Sequence, residues 1–167
     1  MSVNFSPDSP VGEILSSFWK GLENDKGNRA ELRRCKQPED VVMISGFHQL
    51  CARLKPFMKN EGAGWEMRIA SIAGLLAHVR VLYPQKSLAM HMAEFKGDSP
   101  VMSELRFRRL LQRDRFDMYG ALIRVIRLLD KKANIHDLAK SVYYWGDSER
   151  KRWAFEYFPR VPEKKSD

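Results

Sequence analysis

Apolar residues in this chain return every third and fourth position, and nowhere do they alternate at period two for long enough to demand a sheet. Val11, Ile14, Leu15, Phe18, Trp19 and Leu22 set the pattern. One face of a 3.6-residue helix collects all six. The spacing therefore predicts an all-α fold.

Capping and breaking residues divide that pattern into pieces. Ser9-Pro10 reads as an N-cap with proline at the first helical position, and Gly21 with Asn24-Asp25-Lys26-Gly27 closes the helix. Asn28 is expected to cap a short helix over 29–35, and Pro38 to open a longer one through Lys55, interrupted at Pro56. Residues 60–64 form a flexible connector. Trp65 to Tyr83 reads as the most buried helix, stopped by Pro84, with Ala70, Gly74 and Ala77 allowing close packing. A short piece over 88–95 follows. Lys96-Gly97-Asp98-Ser99-Pro100 is expected to join two small bundle-like halves, 10–96 and 101–158. In the second half, Asn134 caps a helix to Trp145 and Asp147 caps the last one, to about Phe158. The tail 159–167 is expected to fray.

With 167 residues and 44% hydrophobic content, the chain can bury a sizeable core as one domain or two small ones. No apolar run approaches the ~18 residues of a membrane span. The N-terminus lacks a basic segment followed by an apolar one, so a cytoplasmic protein is expected. Cys35 and Cys51, sixteen apart and outside any CxxC, suit reduced thiols, with a disulfide left open. The formal charge is +8 and the pI about 9.6. That balance favours acidic partners, nucleic acid first.

The charge is concentrated. Ser103 to Lys132 holds nine Lys/Arg against four acids, which supplies five of the eight net charges. On a helix, Met118, Leu122, Val125, Ile126 and Leu129 share one side, while Arg124, Arg127 and Lys131 fall opposite within about 60° of arc. One element earlier, Arg106, Arg109 and Arg113 make a second stripe beside Phe107, Leu110 and Leu111. Lys132 extends the set. Elsewhere Arg33, Arg34 and Lys36 cluster before Pro38, and Arg150 and Lys151 open the last helix. Solvated surface faces or dipole caps would explain such stripes individually. A polyanion lying across both helices would explain them together.

Residue patterns for chemistry are missing. His48, His78, His91 and His136 never stand at the i, i+4 spacing of a helical metal pair. Neither HExxH, GxxxxGK[ST] nor GxGxxG occurs. His48 and Cys51 at i, i+3 could form a nucleophile pair only by a spacing that arises often by chance. The reading is a non-enzymatic protein with no cofactor and no metal.

Three segments in order resemble a known family. ELRRCKQPED (31–40) ends a short helix in paired arginines before proline. LRFRRLLQRD (105–114) is an arginine- and leucine-rich helix, and IHDLAKSVYYWGDSERKRWAFEYF (135–158) carries Leu-Ala, Trp-Gly, a basic cluster and a closing Trp-Ala with aromatics. Together they resemble the CasB family, the small subunit of the type I-E CRISPR complex Cascade, over roughly residues 10–158. The sequence departs from that pattern at Asp147-Ser148, where some relatives are basic, and at Gly120.

The resemblance implies an all-helical, non-catalytic subunit that sits, typically as a pair of copies, beside the Cascade backbone and large subunits. It would hold CRISPR RNA and target DNA by their backbones and stabilise the R-loop and displaced strand. By position, Arg33 and Arg34 would be the paired arginines, and Arg106, Arg109 and Arg124 members of the basic surface. The alternative is a free-standing helical DNA-binding regulator. Its recognition helix should open with base-reading polar residues, whereas the candidate near Asp117 opens Met118-Tyr119-Gly120.

Overall fold

The computed structural model describes residues 2–162. The elements run α1 (Pro10–Asn24), α2 (Lys26–Arg34), α3 (Pro38–Val41), α4 (Ser45–Leu54), α5 (Trp65–Leu76), β1 (Val81–Leu82), α6 (Leu88–Met92), β2 (Phe95–Lys96), β3 (Ser99–Pro100), α7 (Glu104–Leu111), α8 (Arg115–Leu128), β4 (Lys132–Ala133), α9 (Ile135–Tyr143) and α10 (Asp147–Tyr157). The all-α expectation holds, with four two-residue strands added. Residues 163–167, part of the tail expected to fray, lie outside the described residues. Phe158–Arg160 form a 3-10 turn.

Several caps fall where the sequence put them. Ser9 Oγ accepts from Gly12 N at 3.0 Å and Asn134 Oδ1 from Asp137 N at 3.0 Å. Others move. Asp25, not Asn28, caps α2, its carboxylate accepting from Asn28 N at 3.0 Å. Asp147 is the first residue inside α10, and Gly146 precedes it without a side-chain cap.

Two expected helices are shorter than their apolar spacing suggested. The one starting at Pro38 breaks at 42–44, where Ile44 turns extended and His48 Nε2 bonds Val42 O at 2.6 Å. The one starting at Trp65 ends at Leu76 rather than Tyr83. Beyond it, Trp19 Nε1 donates to Val79 O at 2.9 Å, and the Arg29 guanidinium donates to Ala77 O at 3.1 Å and to Val79 O. Carbonyls engaged by side chains are lost to the helix ladder, so the chain turns there. It then pairs as β1 in parallel with β4, Val81 against Lys132. Residues 96–100 are a tight antiparallel hairpin of β2 and β3, with Gly97 at φ 71.

The central element is α5. Its Ile69, Ala70, Ile72, Ala73, Leu75 and Leu76 are fully buried, and α2, α3, α4, α8 and α9 all pack on it. Gly74 is required on α5, because a Cβ there would sit 2.2 Å from Tyr119 Oη on α8. Helices before and after the hairpin meet directly, α1 on α9 and α6 on α10, and their apolar side chains form one buried cluster.

A polar knot ties α6, α9 and α10. Arg152 reaches Asp137 Oδ1 at 2.8 Å, Glu156 Oε1 at 2.9 Å and Ser141 Oγ at 3.0 Å, and it pairs with buried Glu149. Asp137 also caps α6 by accepting from Leu88 N at 2.9 Å. Beside the knot, Trp153 is fully buried and donates to Ser141 Oγ at 3.0 Å, with Trp145 edge-on at 4.9 Å. Replacing Trp153 by alanine empties the largest fully buried side chain, and we expect it to cost about 3–5 kcal/mol. Denaturant unfolding of the two proteins measures this.

Candidate nucleic-acid interface

Short helices cannot hold a charged face in place unless their other face is fixed. Ser103 caps α7 by accepting from Arg106 N at 3.3 Å, and Asp114 caps α8 by accepting from Asp117 N at 3.0 Å. Phe107 and Leu110 anchor α7 in the core, with Phe107 stacked on Tyr157 at 3.8 Å. On α8, Met118, Tyr119, Leu122, Val125 and Ile126 are buried. The arginines on the other faces are thereby turned toward one another. Arg106 and Arg109 from α7, Arg113 from the turn after it, and Arg124 and Arg127 from α8 line one cleft of about 490 Å³, floored by Met102, Leu110 and Val125.

Five guanidiniums thus converge, and no acidic residue lines the cleft. Among the described residues none of the five has an ion pair. Their neighbour Arg108 does, bonding Glu104 one turn back at 2.8 Å. Because guanidinium forks match phosphate oxygens two at a time, an unpaired set of this kind is suited to a phosphodiester backbone.

At the end of α8 the backbone turns sharply. Asp130 and Lys131 both take left-handed conformations, with φ of 58 and 62. Lys131 N donates back to Ile126 O at 2.8 Å, and Lys131 O accepts from Arg80 N at 2.8 Å and Val81 N at 3.1 Å. This closure brings α8's basic end beside the turn that follows α5. There His78 is half-buried, its Nε2 enclosed and, among the described residues, without a partner. Burial, then the charges of Arg33, Arg127, Arg29 and Lys131, lower its pKa to about 4. Arg33 of α2 and Arg127 of α8, far apart in sequence, therefore act on one ring. Arg33 also shares with Arg29, Lys26 and Arg80 a shallow depression of about 520 Å³, in which Glu23 is the one acid.

Other basic residues go elsewhere. Arg34 and Lys36 are exposed but line neither cavity, as are Lys132 and Lys151. Arg150 is turned inward, its Nε and Nη2 donating to Leu111 O at 2.9 Å and Arg113 O at 3.0 Å, with Asp147 beside it. It satisfies the open end of α7. Arg80 was missed in the sequence because it lay within a segment that read as buried helix; it is exposed at the start of the turn into β1. Its only signal was a charge in an otherwise apolar run.

Cys51 is not an activated nucleophile. Burial pushes the Cys51 thiol up to about 11, away from thiolate. His136 is lowered by burial and has Nε2 3.1 Å from Gly12 O. Among the described residues no three His, Cys, Asp or Glu side chains gather as a metal site, and no helix is long and apolar enough to cross a membrane.

The fold and cleft define a helical protein with an open arginine surface, unpaired among the described residues. The sequence pattern of the CRISPR-associated protein Cse2 family matches residues 28–158. The chain belongs to that family, and the resemblance to CasB is borne out. Among solved structures, a chain of E. coli Cascade bound to a PAM-containing dsDNA target is similar, with a TM-score of 0.66 and 22% identity over 90% of this chain and 97% of that one. CasB from Thermus thermophilus is similar with a TM-score of 0.61 and 21% identity over 89% and 97%. At these identities the likeness is one of fold. No curated protein matches the chain.

A phosphate held between Arg33 and Arg127 would offset the positive field on His78 and favour its charged form. The expected outcome is a His78 midpoint that rises from about 4 when an oligonucleotide binds. An NMR titration of the ring protons, with and without the strand, checks the direction.

Proposed function

We propose that this chain is the non-catalytic small subunit of a type I-E Cascade complex, holding nucleic-acid backbone without reading sequence. The observation that carries the proposal is the α7–α8 cleft, with five arginines and, among the described residues, no acid in its lining. Family membership supports the setting. The similar E. coli chain comes from an assembly bound to double-stranded DNA.

In guide-directed recognition, base pairing reads the sequence and strand exchange is nearly balanced in free energy. A protein need only contact phosphates to tip that balance. Arg106, Arg109, Arg113, Arg124 and Arg127 would take successive phosphates of CRISPR RNA or target DNA, with the displaced strand of the R-loop the favoured occupant. Lys131 and Arg33 would continue the track past His78, and Lys132, Arg34, Lys36 and Lys151 would add a diffuse field around it. Arg150 would support the cleft by holding α7, since its inward bonds leave few donors for phosphate. The Cascade backbone and large subunits and a second copy of this chain would be its protein partners.

Alanine at Arg109, Arg124 and Arg127 together should leave the melting temperature nearly unchanged, because these side chains bond nothing. It should weaken single-strand binding and flatten the slope of log K against log salt by about 2. Filter binding across a salt series measures both. In the assembled complex the same variant should release target DNA faster while guide RNA stays loaded. Unchanged affinity and slope would reduce the cleft to a solvated face.

The paired arginines separate geometrically. Arg33 lines the depression with Lys26, Arg29 and Arg80, and Arg34 does not share it. Arg33→Lys keeps charge and loses the fork, so binding should weaken roughly fivefold, or about 1 kcal/mol. Arg34→Lys should be silent in the same competition assay.

A further inference from the structure

Phe116 is 87% exposed in the first turn of α8, one residue after an arginine that is turned inward. Burial gives it no reason to be aromatic. On the helix, Phe116, Gly120, Arg124 and Arg127 fall within about 80° of arc, so the ring begins the same outward stripe that the cleft arginines end. Its Cα lies about 12 Å along the axis from that of Arg124, a reach of a few nucleotides. Between them Gly120 leaves the helix bare, since a Cβ there would approach only Arg124 Nη1, at 3.9 Å.

Beside the ring opens a cavity of about 260 Å³, walled by Met67, Leu75, Met118, Leu122 and Trp145. The charges here differ from those in the cleft. Asp114 and Asp117 stand at this end of α8, and Glu39 lines the cavity. Arg115, which also lines it, has its donors on Tyr143 O at 3.0 Å and Trp145 O at 3.1 Å. Arg68, the other cation of the lining, bonds Tyr143 O at 3.2 Å, so what this end of the helix offers a strand beyond charge is the exposed ring.

We infer that Phe116 and the cavity beside it form a stacking site for an unpaired nucleobase of the strand whose phosphates lie in the arginine cleft. This rests on the reading of that cleft as a backbone site. An exposed ring at the end of a basic track is how single strands are held without sequence preference, because every base presents a π-face. It also gives selectivity between strand states. A paired base is stacked within its duplex and cannot reach the ring, so the site favours an opened strand over a closed one. Arginines alone do not make that distinction, since duplex and single strand both carry phosphates.

The test compares an oligodeoxythymidylate with an abasic strand of the same length and charge, both bound to the full chain at fixed salt. Wild type should prefer the base-bearing strand by about tenfold. Phe116→Leu should erase the preference while leaving abasic binding, its salt slope and the melting temperature as they were; Phe116→Tyr should keep the preference. Equal binding of the two strands by wild type overturns the inference, as does a preference that survives Phe116→Leu. A Phe116→Leu protein that binds both strands normally but loses occupancy in the assembled complex also overturns it, and makes the ring a protein contact. The backbone reading fails separately, by an abasic affinity that does not change when Arg109, Arg124 and Arg127 become alanine.

Discussion

A helix whose last turns are buried needs the carbonyls of the turn beyond it answered, and the end of α5 is where this fold meets that demand. Trp19 from α1 and Arg29 from α2 both bond the turn after Leu76, on the carbonyls of Ala77 and Val79. Burial lowers the Arg29 pKa, as do the nearby charges of Arg80 and Arg33, Glu23 acting the other way. Its donors nevertheless go to backbone oxygens rather than to a carboxylate. The bonds fix α1 and α2 against α5 and send the chain into β1, which then holds the end of α8. That turn also carries His78, whose pKa Arg33 and Arg127 both help to lower.

Two populations of arginine coexist here, and composition cannot separate them. Arg29, Arg68, Arg115 and Arg150 each donate to main-chain carbonyls, and Arg152 is held by carboxylates. Among the described residues, Arg106, Arg109, Arg113, Arg124 and Arg127 bond neither. Sequence spacing identified the second group because their helices are amphipathic, with Phe107 and Leu110, or Leu122 and Val125, marking the buried side. It assigned Arg150 to the same surface because a cation in the first turn of an exposed-looking helix carries no mark of the carbonyls it will meet. Those carbonyls belong to Leu111 and Arg113, nearly forty residues earlier. Only tertiary packing brings them to hand.

Helix identity was legible for the same reason that some boundaries were not. Apolar spacing reports which residues are buried, not what their backbone does. Val79 is buried and Leu82 half-buried, which extends the stripe of α5 in sequence although neither belongs to the helix. The breaks at 42–44 and after Leu76 depend on His48, Trp19 and Arg29 capturing carbonyls at a distance or across a turn. Caps that act within three residues, at Ser9, Ser103 and Asn134, are local and could be read directly. The β1–β4 pairing is also non-local. It joins residues fifty apart and rests on the two left-handed residues Asp130 and Lys131, neither of which is the glycine that ordinarily signals such a turn.

The cleft has an energetic consequence for the free protein. Guanidiniums brought together without acids repel one another, and the exposed faces of α7 and α8 are held in place by apolar anchors rather than by ion pairs. Salt screens that repulsion, and a polyanion removes it more completely by placing charge between the helices. A strand that binds only the folded arrangement therefore stabilises it by mass action. The close contact of α8 on α5, set by Gly74 under Tyr119, fixes the position of α8 against that repulsion. Tyr119 Oη donates to Cys35 O at 3.3 Å, which links the same contact to the end of α2, where Arg33 sits. The packing that resists the repulsion thus joins α8 to the end of α2 as well as to α5, so the core that fixes one basic helix also fixes the other.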